Sequence, residues 1–366
     1  MTWCAPSSSP VTTTCAGISM SDGSADFFTE RLSTTALIGH LHIRSARPGA
    51  RAPENALPGE WCGRQARGMP PAPHRDGRAG IDAALVERLV ASQFPQWAGL
   101  PVVPVEVDGW DNRTYRLGDD LTVRLPTGEG YVPAVEKEHR WLPVLARSLP
   151  VAVPVSVAVG APGEGYPFPW SIRRWLDGRT AALDRIDDLA AFAVSIADFL
   201  RALHRVDATD GPPAGAHCFY RGTPPAHYDD GTRRALAALE GRVDTERAAA
   251  VWEDALRAPA WDRPPVWFHG DVASGNLLVD RGKLTAVIDF GGCGVGDPAC
   301  DLVIAWTMFS GTSREAFRDA VDLDAATWAR ARGWALWKAL ITLADTTDDE
   351  VAADTGRVIR EVLEDE

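Results

Sequence analysis

The sequence predicts a two-lobed α+β fold, with a mainly β N-terminal lobe and a mainly α C-terminal lobe. Three observations predict it. Short β-rich segments separated by turn residues crowd residues 103–176. Apolar residues then step by three and four from Leu189 to Leu203, and helical patterning returns through the last third of the chain. No internal repeat is present, so strands and helices are segregated along the chain rather than alternating. At 366 residues the chain is long enough to bury two sizeable cores.

Residues 1–80 stand apart as an irregular N-terminal extension. They are rich in Ser, Thr, Pro, Gly and Arg, with no sustained apolar period. Two explanations compete: a disordered tail, or a start assigned too early, with Met69 as the true first residue. In the second case a chain beginning at Met69 keeps full activity and melts at the same temperature.

From Gly80 the pattern sharpens. Ile81, Leu85 and Leu89, with Val86 and Val90 beside them, recur at helical spacing. Strands are expected over 103–107, 114–117, 121–125, 151–159 and 170–176. The turn Gly109-Trp110-Asp111-Asn112 separates the first two, and Gly118-Asp119-Asp120 closes a hairpin between the second and third. A charged helix is expected over 135–145. After Asp177-Gly178 the chain turns helical, with Leu189, Phe192, Ile196, Phe199 and Leu203 on one buried face. His204 falls at the end of that helix as a structural residue. The Pro- and Gly-rich stretch 210–225 reads as loop, 235–256 as one helix, 266–290 as a loop with a small hairpin, and 299 onward as helical.

Hydrophobic residues at 45% and charged residues at 24% are ordinary for a globular protein. The net charge of -13, from 37 basic and 50 acidic residues, argues against nucleic acid or anionic membrane as a partner and tolerates a cationic one. No run approaches the roughly 18 apolar residues of a membrane helix, and the N-terminus lacks the pattern of a signal peptide. The six cysteines show neither a C-x-x-C pair nor metal-ligand spacing, so a reduced, cytoplasmic protein is expected, with Cys218, Cys293 and Cys300 as ordinary small side chains.

Chemistry concentrates in Phe268-His269-Gly270-Asp271-Val272-Ala273-Ser274-Gly275-Asn276, followed thirteen residues after Asn276 by Asp289 in Ile288-Asp289-Phe290-Gly291-Gly292. Phosphoryl transfer needs an in-line hydroxyl, a carboxylate to orient it and take its proton, and hard oxygen ligands for Mg²⁺. Asp271 fits the carboxylate, while Asn276 and Asp289 fit the metal ligands. A hairpin over 277–289, turning at Asp280-Arg281-Gly282-Lys283, would bring those two together. His269 reads as a prop for the loop rather than a base. Asp297-Pro298 reads as a helix start and Asp301 as a first-turn acid, both structural. The G-x-G-x-G formed by Gly292, Gly294 and Gly296 lacks the strand-to-helix setting of a dinucleotide site.

The combination H-x-D-x-x-x-x-N then I-D-F, in His269, Asp271, Asn276 and Ile288-Asp289-Phe290, resembles the aminoglycoside phosphotransferase family, kin to choline kinases and protein kinases. The resemblance runs from about residue 81 to the end. It implies a protein-kinase-like fold with an N-lobe over 81–172, a hinge over 173–178 and a C-lobe over 179–366. It also implies ATP or GTP as co-substrate with Mg²⁺ and a small hydroxylated acceptor. On the nucleotide side, Gly109 and Asn112 fall in the turn that kinase-like folds lay over the triphosphate. Arg124 stands where such folds place a lysine, a departure that keeps the cation and changes its geometry. The helix offers Glu136 and Glu138 as its partner, and alignment with the family favours Glu138. Arg174 and Leu176 fall in the segment similar to the adenine-contacting hinge.

The acceptor is less legible. Family members that modify aminoglycosides, and so confer resistance, hold amino groups with carboxylates near the C-terminus. Here Asp345, Asp348, Asp349, Glu350 and Glu364-Asp365-Glu366 fit either that role or a solvated surface, with the latter favoured. Trp334 and Trp337 read as core rather than a sugar-stacking platform. An aminoglycoside kinase is the first expectation. A kinase of a macrolide, amino alcohol or sugar is the second, and a non-catalytic nucleotide-binding protein, suggested by Arg124 alone, the third. Oligomeric state is not readable.

Overall fold

The structure, a computed structural model, describes residues 80–365 apart from Val107 and Trp110. The extension before Gly80, with Cys4, Cys15, Cys62 and Met69, lies outside the described residues, as does Glu366.

Helix α1 (Ala83–Gln93) begins where the Asp82 carboxylate accepts the Leu85 N–H at 2.8 Å. Its buried stripe, Leu85, Val86, Leu89 and Val90, covers an antiparallel sheet of β1 (Val102–Pro104), β2 (Asn112–Leu117), β3 (Leu121–Pro126), β4 (Ser156–Gly160) and β5 (Trp170–Arg174). The strand order is β1-β2-β3-β5-β4. Tyr115, Val123, Leu125, Trp170 and Ile172 point into one apolar cluster with the helix. Between β3 and β4 runs helix α2 (Val132–Leu145), which begins three residues earlier than the sequence predicts because Pro133 suits a first helical turn.

The strand expected over 151–159 forms only in its second half. Pro154 has no N–H to give a ladder, and the chain before it leaves the sheet. Ala152 instead exchanges bonds with the second lobe, donating to Thr285 O at 3.1 Å and accepting from Val287 N at 3.0 Å.

Beyond β5 the chain is mainly helical: β6 (Arg179–Thr180), α3 (Leu189–His204), α4 (Asp229–Ala238), α5 (Thr245–Arg257), β7 (Val266–Phe268), β8 (Leu277–Asp280), β9 (Lys283–Val287), β10 (Gly294–Gly296), α6 (Ile304–Thr307), α7 (Gly311–Val321), α8 (Ala325–Asp345) and α9 (Asp349–Glu364). A second, larger apolar cluster joins α3, α8, α9, β7 and the β8–β9 hairpin, and takes in Leu142, Leu145 and Val153 from the first lobe. The single helix expected over 235–256 is two, because Gly241 takes a left-handed φ of 76° and Asp244 opens a new helix by accepting from Arg247 N–H. Residues 298–303 form a 3₁₀ helix rather than α-helix. No described helix is long and apolar enough to cross a membrane.

His204, near the C-terminus of α3, has a buried Nε2 without a partner, and burial pushes its imidazole down to about 4. The folded protein keeps it neutral while the unfolded chain protonates it near 6.5. Its contribution is therefore present above pH 6.5 and is lost as pH falls toward 4, by on the order of 3 kcal/mol. His204→Phe is expected to flatten the thermal stability profile between pH 6.5 and 4, and an unchanged profile would count against this cause.

Candidate active site

β7 pairs with β10 and delivers His269, Gly270 and Asp271 at its end. Three contacts fix this loop. The Asp301 carboxylate, fully buried, accepts from His269 N and Gly270 N, each at 2.7 Å. Burial pushes its carboxyl up, although these two donors and His269 oppose the shift. His269 accepts from Asp271 N at Nδ1 and donates from Nε2 to Ile288 O at 3.0 Å, an assignment that follows from the partners. That arrangement makes it the prop the sequence suggests. Gly270 has φ 89°, and a Cβ there would sit 2.3 Å from Gly292 O, so no larger residue fits. Asp301 thus does more than complement a helix end: it holds the loop.

Asp271 Oδ1 receives the Lys338 ammonium at 2.7 Å, and Oδ2 receives Asn276 Nδ2 at 3.1 Å. Burial raises the Asp271 carboxyl, but Lys338, with Arg221 and His269, together outweigh it and hold the group below the ordinary carboxylate range. Asn276 also donates to Asp271 O at 2.9 Å, which leaves its Oδ1 available as an oxygen ligand.

The β8–β9 hairpin has a two-residue loop, Arg281-Gly282, with φ of 48° and 75°, as a type I′ turn requires. Its register sets Leu277 opposite Val287, and Ile288 N donates to Asn276 O at 2.9 Å. Asn276 and Asp289 therefore leave the same end of the hairpin. Asp289 has φ 67°, a strained left-handed value that an aspartate tolerates better than most residues.

Arg124, on β3, lies among three carboxylates. Its guanidinium is 3.0 Å from Asp289, 3.6 Å from Glu138 and 3.9 Å from Asp111. Burial opposes its charge, but these carboxylates raise its pKa above the ordinary value. Glu138 is buried while Glu136 is exposed, in keeping with the expected choice between them. However, the tightest partner of Glu138 is Arg173, at 2.5 Å, rather than Arg124. Burial and the Asp289 charge push Asp111 up to about 7, a sign of crowded negative charge.

Neighbouring Lys137, also buried, crosses to the second lobe. Its ammonium donates to the carbonyls of Gly291, Cys293 and His217 at 2.7, 2.9 and 3.0 Å. The helix that carries Glu138 is thereby clasped to the loop that carries Asp289.

Gly109 lies in the turn before β2, close to the Asp111 carboxylate, and Asn112, the first residue of β2, is buried. Arg174, exposed, ends β5 opposite Leu121, and Leu176 follows in the connection to β6. Neither is brought to Asp271. Trp334 and Trp337 are buried, edge to face with ring centroids 5.4 Å apart, so they offer no open stacking surface. Of the acidic C-terminal residues, Asp348 caps α9 and Asp365 pairs with Arg314 and Arg318.

Sequence reasoning missed Lys338, Arg173 and Asp111. Lys338 left a trace as the lone cation in the apolar run from Trp334 to Leu343, and Arg173 as a charge within a buried strand.

The profile of the family APH, a phosphotransferase enzyme family, matches residues 102–334, more than half of the chain. The chain belongs to this family. An aminoglycoside 3'-phosphotransferase of Escherichia coli is 28% identical over 144 residues, 37% of this chain and 51% of that protein. The chain thus matches about half the length of such curated relatives. Among solved structures, the GDP complex of wild-type aminoglycoside 2'-phosphotransferase-IIIa covers 77% of this chain and 98% of its own, with TM-score 0.59 and 16% identity. A macrolide 2'-phosphotransferase type I covers 76% and 96%, with TM-score 0.50 and 20% identity. At these identities the likeness is one of fold, a kinase-like arrangement of a sheet-bearing lobe and a helical lobe.

Proposed function

We propose that this chain is a small-molecule kinase that transfers the γ-phosphoryl group of ATP or GTP to an acceptor hydroxyl. The observation that carries this is the convergence of Asp271 and Asn276 on one propped loop with Asp289 across the hairpin, in a chain of the phosphotransferase family. Residues 81–172 would act as the phosphate-covering lobe, 173–178 as the hinge and 179–366 as the lobe for catalysis and acceptor. Gly109, Asn112 and Arg124, braced by Glu138, would face the phosphates, and backbone groups of Arg174 and Leu176 the base.

Asp271 orients the acceptor hydroxyl and takes its proton as the oxygen attacks the γ-phosphorus. The new O–P bond forms while the bond to the β,γ-bridging oxygen breaks, and the nucleoside diphosphate leaves. Both carboxylate oxygens of Asp271 keep a lone pair for that hydroxyl beside the bonds they already accept. Asn276 and Asp289 would hold Mg²⁺, whose charge neutralises the phosphate oxygens. The hard oxygens of this pair suit the ion. Crowding of Asp111 against Asp289 likewise suits an added cation.

An aminoglycoside-type acceptor is supported by the curated relatives and by a solved GDP and kanamycin complex of APH(2'')-IIIa. A macrolide or other hydroxylated metabolite is supported by the macrolide kinase neighbour. A nucleoside diphosphate release assay with Mg²⁺, run across aminoglycosides, macrolides and small hydroxylated metabolites, tests the reading. Acceptor-stimulated release abolished in Asp271→Asn supports it, and nucleotide binding without any stimulated release counts against it.

Arg124→Ala is expected to lower kcat/KM for nucleotide by about 10- to 100-fold, the worth of a charge-assisted hydrogen bond. Arg124→Lys, which keeps the charge, should retain most of the activity in the same steady-state assay. Equal losses in both would mean that geometry rather than charge matters at this position.

A further inference from the structure

Asp111 is an acid in the turn that the kinase reading lays over the phosphates, immediately before β2. Among the described residues its one cationic partner is Arg124, and that partner is shared. The same guanidinium nitrogen, Nη2, stands 3.0 Å from Asp289 and 3.9 Å from Asp111. The other nitrogen, Nη1, lies 3.6 Å from Glu138, but Glu138 already has Arg173 at 2.5 Å. Lys137, the next cation along helix α2, is spent on carbonyls of the second lobe. Two carboxylates, Asp111 and Asp289, therefore divide one arginine between them.

Asp111 is held by its main chain more firmly than by its side chain. Its carbonyl accepts from Thr127 N at 2.9 Å and from Thr127 Oγ1 at 3.1 Å, just past the end of β3. The carboxylate, at 3.9 Å, is beyond hydrogen-bond reach of Arg124 and is the loosest of the three partners. Burial and the Asp289 charge both penalise its ionised form. A charge that folding disfavours, set in a cleft, points to a use beyond the fold. A bare nucleoside triphosphate would bring more negative charge to a place already short of cations. With Mg²⁺ bound, much of that charge is cancelled.

We propose that Asp111 is a specificity-determining residue that makes the cleft refuse metal-free nucleoside triphosphate and admit its Mg²⁺ complex. This rests on the kinase reading, which brings the phosphates to Arg124 and the metal to Asp289. Metal-free nucleotide must draw Arg124 away from both acids, leaving Asp111 and Asp289 unpaired against the phosphate charge. When Mg²⁺ arrives with the nucleotide, Asp289 gains a cation as it loses Arg124, and Asp111 faces a smaller opposing charge. Selectivity here comes from repulsion of the wrong ligand rather than from attraction to the right one.

Equilibrium binding to the full chain tests this, with ATP and GTP each titrated in Mg²⁺ and in EDTA, and with adenosine and guanosine as controls. Asp111→Asn is expected to tighten metal-free triphosphate by about tenfold, a modest value for one short-range charge contact in a half-wet cleft. The Mg²⁺ complex should stay within about threefold of its wild-type affinity, so the preference for the complex narrows. Nucleoside affinity should not change. The melting temperature should not fall, because a penalised charge has been removed. Asp111→Ser, which removes the charge with a smaller side chain, should repeat the result if the asparagine variant folds poorly. An unchanged preference for the complex overturns the role of Asp111. Loss of affinity for the Mg²⁺ complex alone also overturns it, and would make Asp111 a metal ligand. Equal tightening with and without Mg²⁺ overturns the discrimination and leaves a plug blind to metal. A wild type that binds neither triphosphate with Mg²⁺ overturns the kinase reading and this inference together. A wild type that binds the complex but fails the comparison with Asp111→Asn overturns this inference alone.

Discussion

Asp271→Asn is expected to lower kcat by about 10²- to 10⁴-fold, the range of a positioned general base, with nucleotide affinity unchanged. The substitution keeps the size of the side chain and an oxygen that can accept from Lys338 or Asn276. What it removes is the charge that receives the hydroxyl proton. Because the side chain is 33% exposed, the loss of the ion pair with Lys338 should cost little stability. Turnover and nucleotide titration measured on one preparation separate the two effects. Near-wild-type kcat would remove Asp271 from the chemistry, and weakened nucleotide binding would place it instead among the phosphate contacts.

The sequence makes this loop legible because the chemistry is local. Asp271 and Asn276 are five residues apart, and the hairpin that returns Asp289 to them announces itself through Arg281-Gly282. The segregation of strands and helices was equally readable, since each apolar period is a short-range property. What escaped depends on tertiary approach. Lys338 meets Asp271 across 67 positions, and Arg173 meets Glu138 across 35. A charged residue in an apolar run signals that some partner exists without naming it. Strand 151–159 and helix 235–256 were misjudged for a different reason: apolar content outweighed Pro154 and Gly241, whose backbone limits decide the local structure.

Arg124 shows how the two lobes share charge. The cation bridges Asp289, at the end of the β8–β9 hairpin, and Glu138 of helix α2, while Lys137, next in sequence to Glu138, clasps the loop after Asp289 through its carbonyls. The positions of Glu138 and Asp289 are therefore coupled by two independent contacts. Arg173 then compensates the buried Glu138, which burial would otherwise raise and which Arg173 and Arg124 together hold low. A lysine at position 124 could not reach several carboxylates with a fork, which gives a physical reason for arginine here.

Asp301→Ala is expected to destabilise the protein by about 2–5 kcal/mol, because His269 N–H and Gly270 N–H would both be buried without an acceptor. Burial already disfavours the Asp301 charge, and removing the carboxylate also removes that cost, which keeps the expected loss below the sum of two orphaned donors. A thermal melt should fall by roughly 3–8 °C for a protein of this size. The effect on turnover should exceed what the fraction unfolded explains, since the same two bonds set the position of Asp271. Asp301→Asn, which retains one acceptor oxygen for the two donors, should fall between wild type and alanine in both measurements. If Asp301→Ala melts with the wild type, the loop is held by His269 and the close approach of Gly270 to Gly292 alone. If it melts lower yet keeps full kcat at a temperature where it is folded, Asp301 supports the fold without positioning Asp271.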